Sequence, residues 1–230
     1  MDSEKTLNDK LSFPSLIRFN KIMGSVHLIQ GVLMMLFAFL VYPNLDGTGT
    51  QTFTIPVIGN YLEFVQGQGL VLTPTDTLFE LPFLPLTASF LLISGIFHFI
   101  IAFPYKDKYV SDLKKGINKL RWYEYAISSS LMIVLISSLF GVRDVAVFVL
   151  IALANAAMNL FGLDMELLNS GTDKTEKKTN WLPFIFGSVI GIAPWLAIVF
   201  YIGVNPNLDA VPGFVWAILV TYFVAFNTFP

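Results

Sequence analysis

Runs of about 20 residues with almost no charge constrain this chain most, because only a helix satisfies every backbone polar group across that length of hydrocarbon. Four such runs lie at Ile22 to Tyr42, Leu81 to Pro104, Val145 to Leu163 and Trp181 to Gly203. A fifth, Lys119 to Phe140, is apolar apart from Glu124 beyond its cationic edge at Lys119 and Arg121. A sixth opens at Pro212-Gly213 and runs to Pro230, slightly short of a comfortable span. A chain that is 55% hydrophobic, 15% aromatic and 13% charged has more apolar surface than a soluble core of this length can hide. The sequence therefore predicts an all-α integral membrane bundle in one domain, residues 1–230, with helices near 14–42, 81–104, 119–140, 144–168, 181–203 and 212–230. With no cysteine, disulfides, thiolate catalysis and cysteine-bound metals are excluded. Nothing points to nucleic acid as a partner.

The connection 43–80 is long and lacks Lys and Arg. Its apolar runs predict a small hairpin cap with the turn at Gly59-Asn60, and Pro56 on an edge strand. The connection after the second span is basic. Gly141 marks a tight turn before Asp144, a good cap for the span that starts at Val145. In the Trp181–Gly203 span Gly187 and Gly191 have the spacing of a close helix–helix contact, and Pro194-Trp195 predicts a kink.

Alternate connections fall on opposite sides of the membrane. One side collects Lys5, Lys10, Arg18 and Lys21 of the amino-terminal stretch, Lys106, Lys108, Lys114, Lys115, Lys119 and Arg121, then Lys174, Lys177 and Lys178; the other receives Arg143 alone. The positive-inside rule makes the amino terminus and the basic connections cytoplasmic, in a multi-pass cell-membrane protein whose cap faces outward.

The ionisable groups well inside the spans are Glu124, His98 and His27, each roughly 5 to 9 Å past the same edge by helix rise. A carboxylate there costs a few kcal/mol unless it faces a partner, so Glu124 is the leading functional candidate. Each histidine is as readily explained as hydrogen-bonded structure. Ser94, Ser128 to Ser130 and Gln30 add hydroxyl and amide groups nearby. Ser94 and His98 share one helix and no G-x-S-G is present, which argues against an intramembrane hydrolase. Three scattered ligands are weak evidence for a metal. A proton or ion path would thread ionisable groups through both halves, and the outward half is nearly bare. A lone anion near one mouth fits best as counter-charge to a bound cation, with the aromatic content offering a pocket for a flat apolar ligand.

Several stretches resemble the heliorhodopsins, a family of retinal-binding membrane proteins: V-H-L-I-Q, S-G-I-F-H-F-I, R-W-Y-E-Y-A-I-S-S-S-L-M-I-V-L-I, N-A-A-M-N-L-F-G, L-P-F-I-F-G-S-V-I-G-I-A-P-W, V-P-G-F-V and F-N-T-F, in family order. The resemblance implies a light-sensing protein, not an enzyme, that binds all-trans retinal, transports no ion on balance and forms a homodimer with an unknown signalling partner. It implies that Glu124 is the counterion of a protonated Schiff base beside Ser94 and Ser128 or Ser129. His27, Gln30 and His98 would form a cytoplasmic polar network. Tyr125, Met132, Asn155, Met158, Trp195 and Phe226 would line the chromophore pocket. The family's retinal-bearing lysine belongs to a seventh helix, expected beyond residue 230, because every lysine here is in a tail, a connection or a cationic edge. A light-driven or light-gated transporter, and a chromophore-free interaction protein in the bilayer, are the competing readings.

Overall fold

The computed structural model describes residues 13–170, 178–204 and 211–227. Lys5, Lys10, Lys174 and Lys177 lie outside them. Helix α1, Phe13–Leu36, carries Pro14 at its second position, where a proline costs no internal hydrogen bond. Its last turn widens into a π-helical segment, Phe37–Val41, and closes as a 3₁₀ turn, Tyr42–Asn44. Then come α2, Phe83–Ala102; α3, Lys106–Lys114; α4, Lys119–Leu139; α5, Val145–Asn169; α6, Leu182–Gly203; and α7, Gly213–Asn227.

Among the described residues five helices are long and apolar enough to cross a membrane: α1 with its extension, α2, α4, α5 and α6. The apolar part of α7, Gly213–Ala225, is shorter. The outer faces match that assignment. Leu33, Val189 and Phe200 are more than half exposed, as lipid-facing side chains are when no solvent drives them inward.

The spans pack in order, α1 on α2, α2 on α4, α4 on α5 and α5 on α6, with α6 returning to α4. Small residues set the closest approaches. An ideal Cβ on Gly95 of α2 would stand 3.2 Å from the backbone nitrogen of Leu28 and 3.3 Å from the carbonyl oxygen of Gly24 on α1. Gly187 and Gly191 of α6 meet Phe161 and Met158 of α5 in the same way, as their spacing predicts. Asp144 caps α5 by accepting from the N–H groups of Ala146 at 2.9 Å and Val147 at 3.2 Å, and Gly141 makes the preceding turn at φ +96°.

At one end of the bundle lie four strands: β1, Thr54–Val57; β2, Asn60–Val65; β3, Gly69–Pro74; and β4, Phe79–Pro82. The hairpin exists, but its turn is not at Gly59-Asn60. Strand β2 pairs antiparallel with β3, Asn60 opposite Pro74 and Val65 opposite Gly69, around a turn in which Gly67 and Gly69 both have positive φ. Strand β1 pairs with β4 instead, Pro56 opposite Glu80 in a two-stranded sheet that has only edges. Gly59 is unavailable as a turn because its N–H donates to Thr75 Oγ1 at 2.8 Å and its carbonyl accepts from the Thr75 N–H. Ile55, Val57 and Leu81 of this cap share one apolar core with Ile133, Ile136, Trp195 and Ile198.

The basic connection between α2 and α4 folds as a helix, α3, at the opposite end. It is anchored by Tyr109, which packs with Ile17 of α1 and Ile101 of α2. From the sequence alone this stretch reads only as a basic connection.

Candidate functional site

Glu124 lies just over one turn into α4, at the α3 end of the bundle. Its carboxylate points between α4 and α2. Ser94 Oγ donates to Glu124 Oε1 at 2.6 Å, and Ser128 Oγ, one turn further along α4, reaches the same oxygen at 3.3 Å. Both serines are buried. A short hydroxyl-to-carboxylate bond is among the stronger neutral-to-charged contacts a side chain makes. The two ion pairs among the described residues, Lys108 with Asp112 and Arg121 with Glu166, leave Glu124 without a Lys or Arg partner. Two hydroxyls therefore hold the Glu124 carboxyl group in the bundle, and no Lys or Arg pairs with it among the described residues.

The histidines face each other from α1 and α2. Their rings stack at 5.5 Å between centroids, 14° from parallel. His98 Nδ1 is 2.8 Å from Asn20 Oδ1, while Asn20 Nδ2 donates to the Leu16 carbonyl at 2.8 Å. Since an amide oxygen only accepts, this network assigns the Nδ1 proton to His98. Asn20, buried, extends the chain of polar groups to Tyr109 on α3, whose phenol burial pushes above its ordinary range while the Asn20 bond works the other way. His27 Nδ1 is buried with no hydrogen-bond partner among the described residues. Gln30 is exposed on α1 and makes no described hydrogen bond.

A second polar knot links α4 to α5. Asn155 Nδ2 donates to Ser129 Oγ at 2.7 Å and to Ser130 Oγ at 3.1 Å, Asn159 Nδ2 donates to Ser129 Oγ at 3.1 Å, and Ser129 Oγ donates to the Tyr125 carbonyl at 2.5 Å. Met132 packs against the main core. Met158 fills the space left by Gly191, and Trp195, buried, meets Phe223 of α7 edge to face at 5.1 Å. The Phe226 side chain lies outside the described residues.

Sequence reasoning misses Asn20, because the charge-free run of α1 starts only at Ile22. Its signal is the i, i+7 relation to His27, which places both on one face of α1.

These elements define a polytopic membrane protein whose polar interior is concentrated toward one membrane face. The heliorhodopsin family profile matches residues 16–230, nearly the whole chain, and the chain belongs to that family. No curated protein matches it. Membership makes it a retinal-binding, rhodopsin-like membrane protein, of a photoreceptor type rather than a conventional enzyme.

Proposed function

We propose that this chain is a light sensor in which Glu124 is the counterion of a protonated retinal Schiff base and proton movement stays within the protein. The carrying observation is a carboxylate inside the bundle, held by Ser94 and Ser128, with no Lys or Arg partner among the described residues. Such an anion is arranged for a cation brought by a ligand. When bound, all-trans retinal supplies that cation and a light-driven isomerisation. The described lysines sit toward the ends of the spans or in the connections, away from Glu124.

Tyr125, Met132, Asn155, Met158, Trp195 and Phe226 are proposed to enclose the apolar ligand, with Ser129 fixing the α4–α5 wall through Asn155. His27 and His98, with Gln30 at the margin, are proposed to hold a proton leaving the Glu124 region. Their position favours a one-sided excursion: the charged and imidazole groups lie toward α3, whereas the opposite half holds the apolar core under the cap.

The gathering of Arg18, Lys21, Lys106, Lys108, Lys114 and Lys115 at the α3 end, against Arg143 at the cap end, supports a cytoplasmic amino terminus. A homodimer is supported by the β2–β3 hairpin, where the cross-strand pairs Leu62–Leu72 and Phe64–Leu70 form a stripe of side chains each at least 64% exposed.

The test is illumination of cells expressing the gene with all-trans retinal, recording external pH and photocurrent. A transient absorbance cycle without net charge movement is expected. Reproducible net transport would refute the non-transporting reading in favour of a pump or channel, and absence of bound retinal would leave the interaction-protein alternative.

A further inference from the structure

At the α3 end, the start of α1 and the face of α3 enclose a cavity of about 350 Å³. Its polar rim is Arg18, Lys21 and Lys106; its apolar floor is Phe13, Ile17 and Val110. The three cations are exposed, and none pairs with a carboxylate among the described residues. The neighbouring acid Asp112 is buried and already bonded to Lys108 at 3.3 Å, while Asp107 is exposed in the first turn of α3. Two ammonium groups stand over rings beside this corner, Lys21 Nζ 5.0 Å from the Phe103 centroid and Lys114 Nζ 5.8 Å from that of Phe13, weak contacts that leave their charge uncompensated. The cavity also has a defined depth, because the charge-free run of α1 begins at Ile22, next to Lys21. It lies where headgroups meet acyl chains.

We propose that this groove holds one anionic phospholipid, the phosphate between Arg18, Lys21 and Lys106 and the first methylenes of an acyl chain on Phe13, Ile17 and Val110. A guanidinium and two ammonium groups from different helices match a phosphodiester, and unpaired cations at this depth attract anionic headgroups. An apolar floor beneath them distinguishes a lipid from a free phosphate ion, which would gain nothing from Ile17 or Val110. The bound lipid joins α1 to α3 beside Tyr109, whose ring closes the same corner from within.

The test uses the purified whole protein in detergent, exchanged against dioleoylphosphatidylglycerol or dioleoylphosphatidylcholine and read by native mass spectrometry. One phosphatidylglycerol per chain should be retained in preference to phosphatidylcholine. Retention should fall about fivefold for each cation removed, in Arg18→Ala, Lys106→Ala and their combination. Arg143→Ala, at the other end of the bundle, should retain as much as the parent, and melting curves should confirm that every variant is folded. Equal retention of the two lipids, or unchanged retention in the double variant, would overturn the proposal. So would displacement of phosphatidylglycerol by millimolar inorganic phosphate, which would make this a simple anion site. Micelles have no inside, so any of these three failures leaves the proposed orientation and the retinal reading untouched.

Discussion

Gly95→Ala tests the α1–α2 contact on which the histidine pair depends. The new Cβ would stand 3.2 Å from the Leu28 nitrogen and 3.3 Å from the Gly24 carbonyl oxygen, both backbone atoms that no rotamer change can move. Ordinary carbon contacts begin a few tenths of an ångström further out, so α1 must shift away from α2. Overpacking of this kind costs about 1–3 kcal/mol, offset by up to about 1 kcal/mol of helix propensity gained on replacing glycine. With the full offset the expected net loss is about 0–2 kcal/mol, or up to roughly 30-fold in the unfolding equilibrium. The assay is reversible denaturant unfolding of the purified protein beside Gly203→Ala, whose Cβ meets nothing within 4 Å and should be neutral or slightly stabilising. The same shift should loosen the 5.5 Å His27–His98 stack and change photocycle kinetics, leaving the dark colour nearly as it was. If Gly95→Ala unfolds no more readily than Gly203→Ala, the close backbone approach is wrong, and with it the geometry of the pair.

Glu124→Gln in the retinal-bound protein should move the protonated absorption to longer wavelength, because excitation carries positive charge away from the nitrogen and the anion stabilises the ground state more; unchanged colour would make the carboxylate structural. Asp144→Ala should destabilise by about 1 kcal/mol through loss of the α5 cap, whereas Asp144→Asn keeps an acceptor and should recover most of it in a melting experiment. Leu62→Lys with Leu72→Lys should convert the proposed dimer to monomer in size-exclusion chromatography with light scattering, and a dimer that persists would remove the hairpin from the interface.

The spans were legible because charge-free length is a one-dimensional property, and the same holds for Asp144 and the paired glycines, whose partners are near in sequence or set by helical spacing. Strand pairing was not. Gly59-Asn60 has the composition of a hairpin turn, but Thr75 occupies the Gly59 backbone, and Asn60 Nδ2 reaches Asp144 Oδ2 at 2.7 Å across 84 residues. Helix α3 was hidden by its charge: its buried positions, Tyr109 and Asp112, include an acid whose Oδ1 meets a cation only once Lys108 folds beside it. Glu124 stood out as a carboxylate in an apolar run; that Ser94 approaches it more closely than Ser128 follows from helix packing, which spacing along α4 does not contain.

The tie between the cap and the α4–α5 turn imposes an order on assembly. Ile58 donates to the Arg143 carbonyl at 2.9 Å, and Val145 donates to the Ile58 carbonyl at 2.8 Å, forming the single parallel bridge of Ile58 with Asp144 among the described residues. During synthesis the residues of the cap emerge first, and their latch does not exist until α2 and α4 have been made and α5 has begun. Until then the β1 side of the cap has open hydrogen-bonding edges, the condition under which strands find wrong partners. The nascent protein must therefore hold a half-finished lid through the insertion of two more membrane segments, and slowing translation within α4 would lengthen that exposed interval while leaving the finished fold the same.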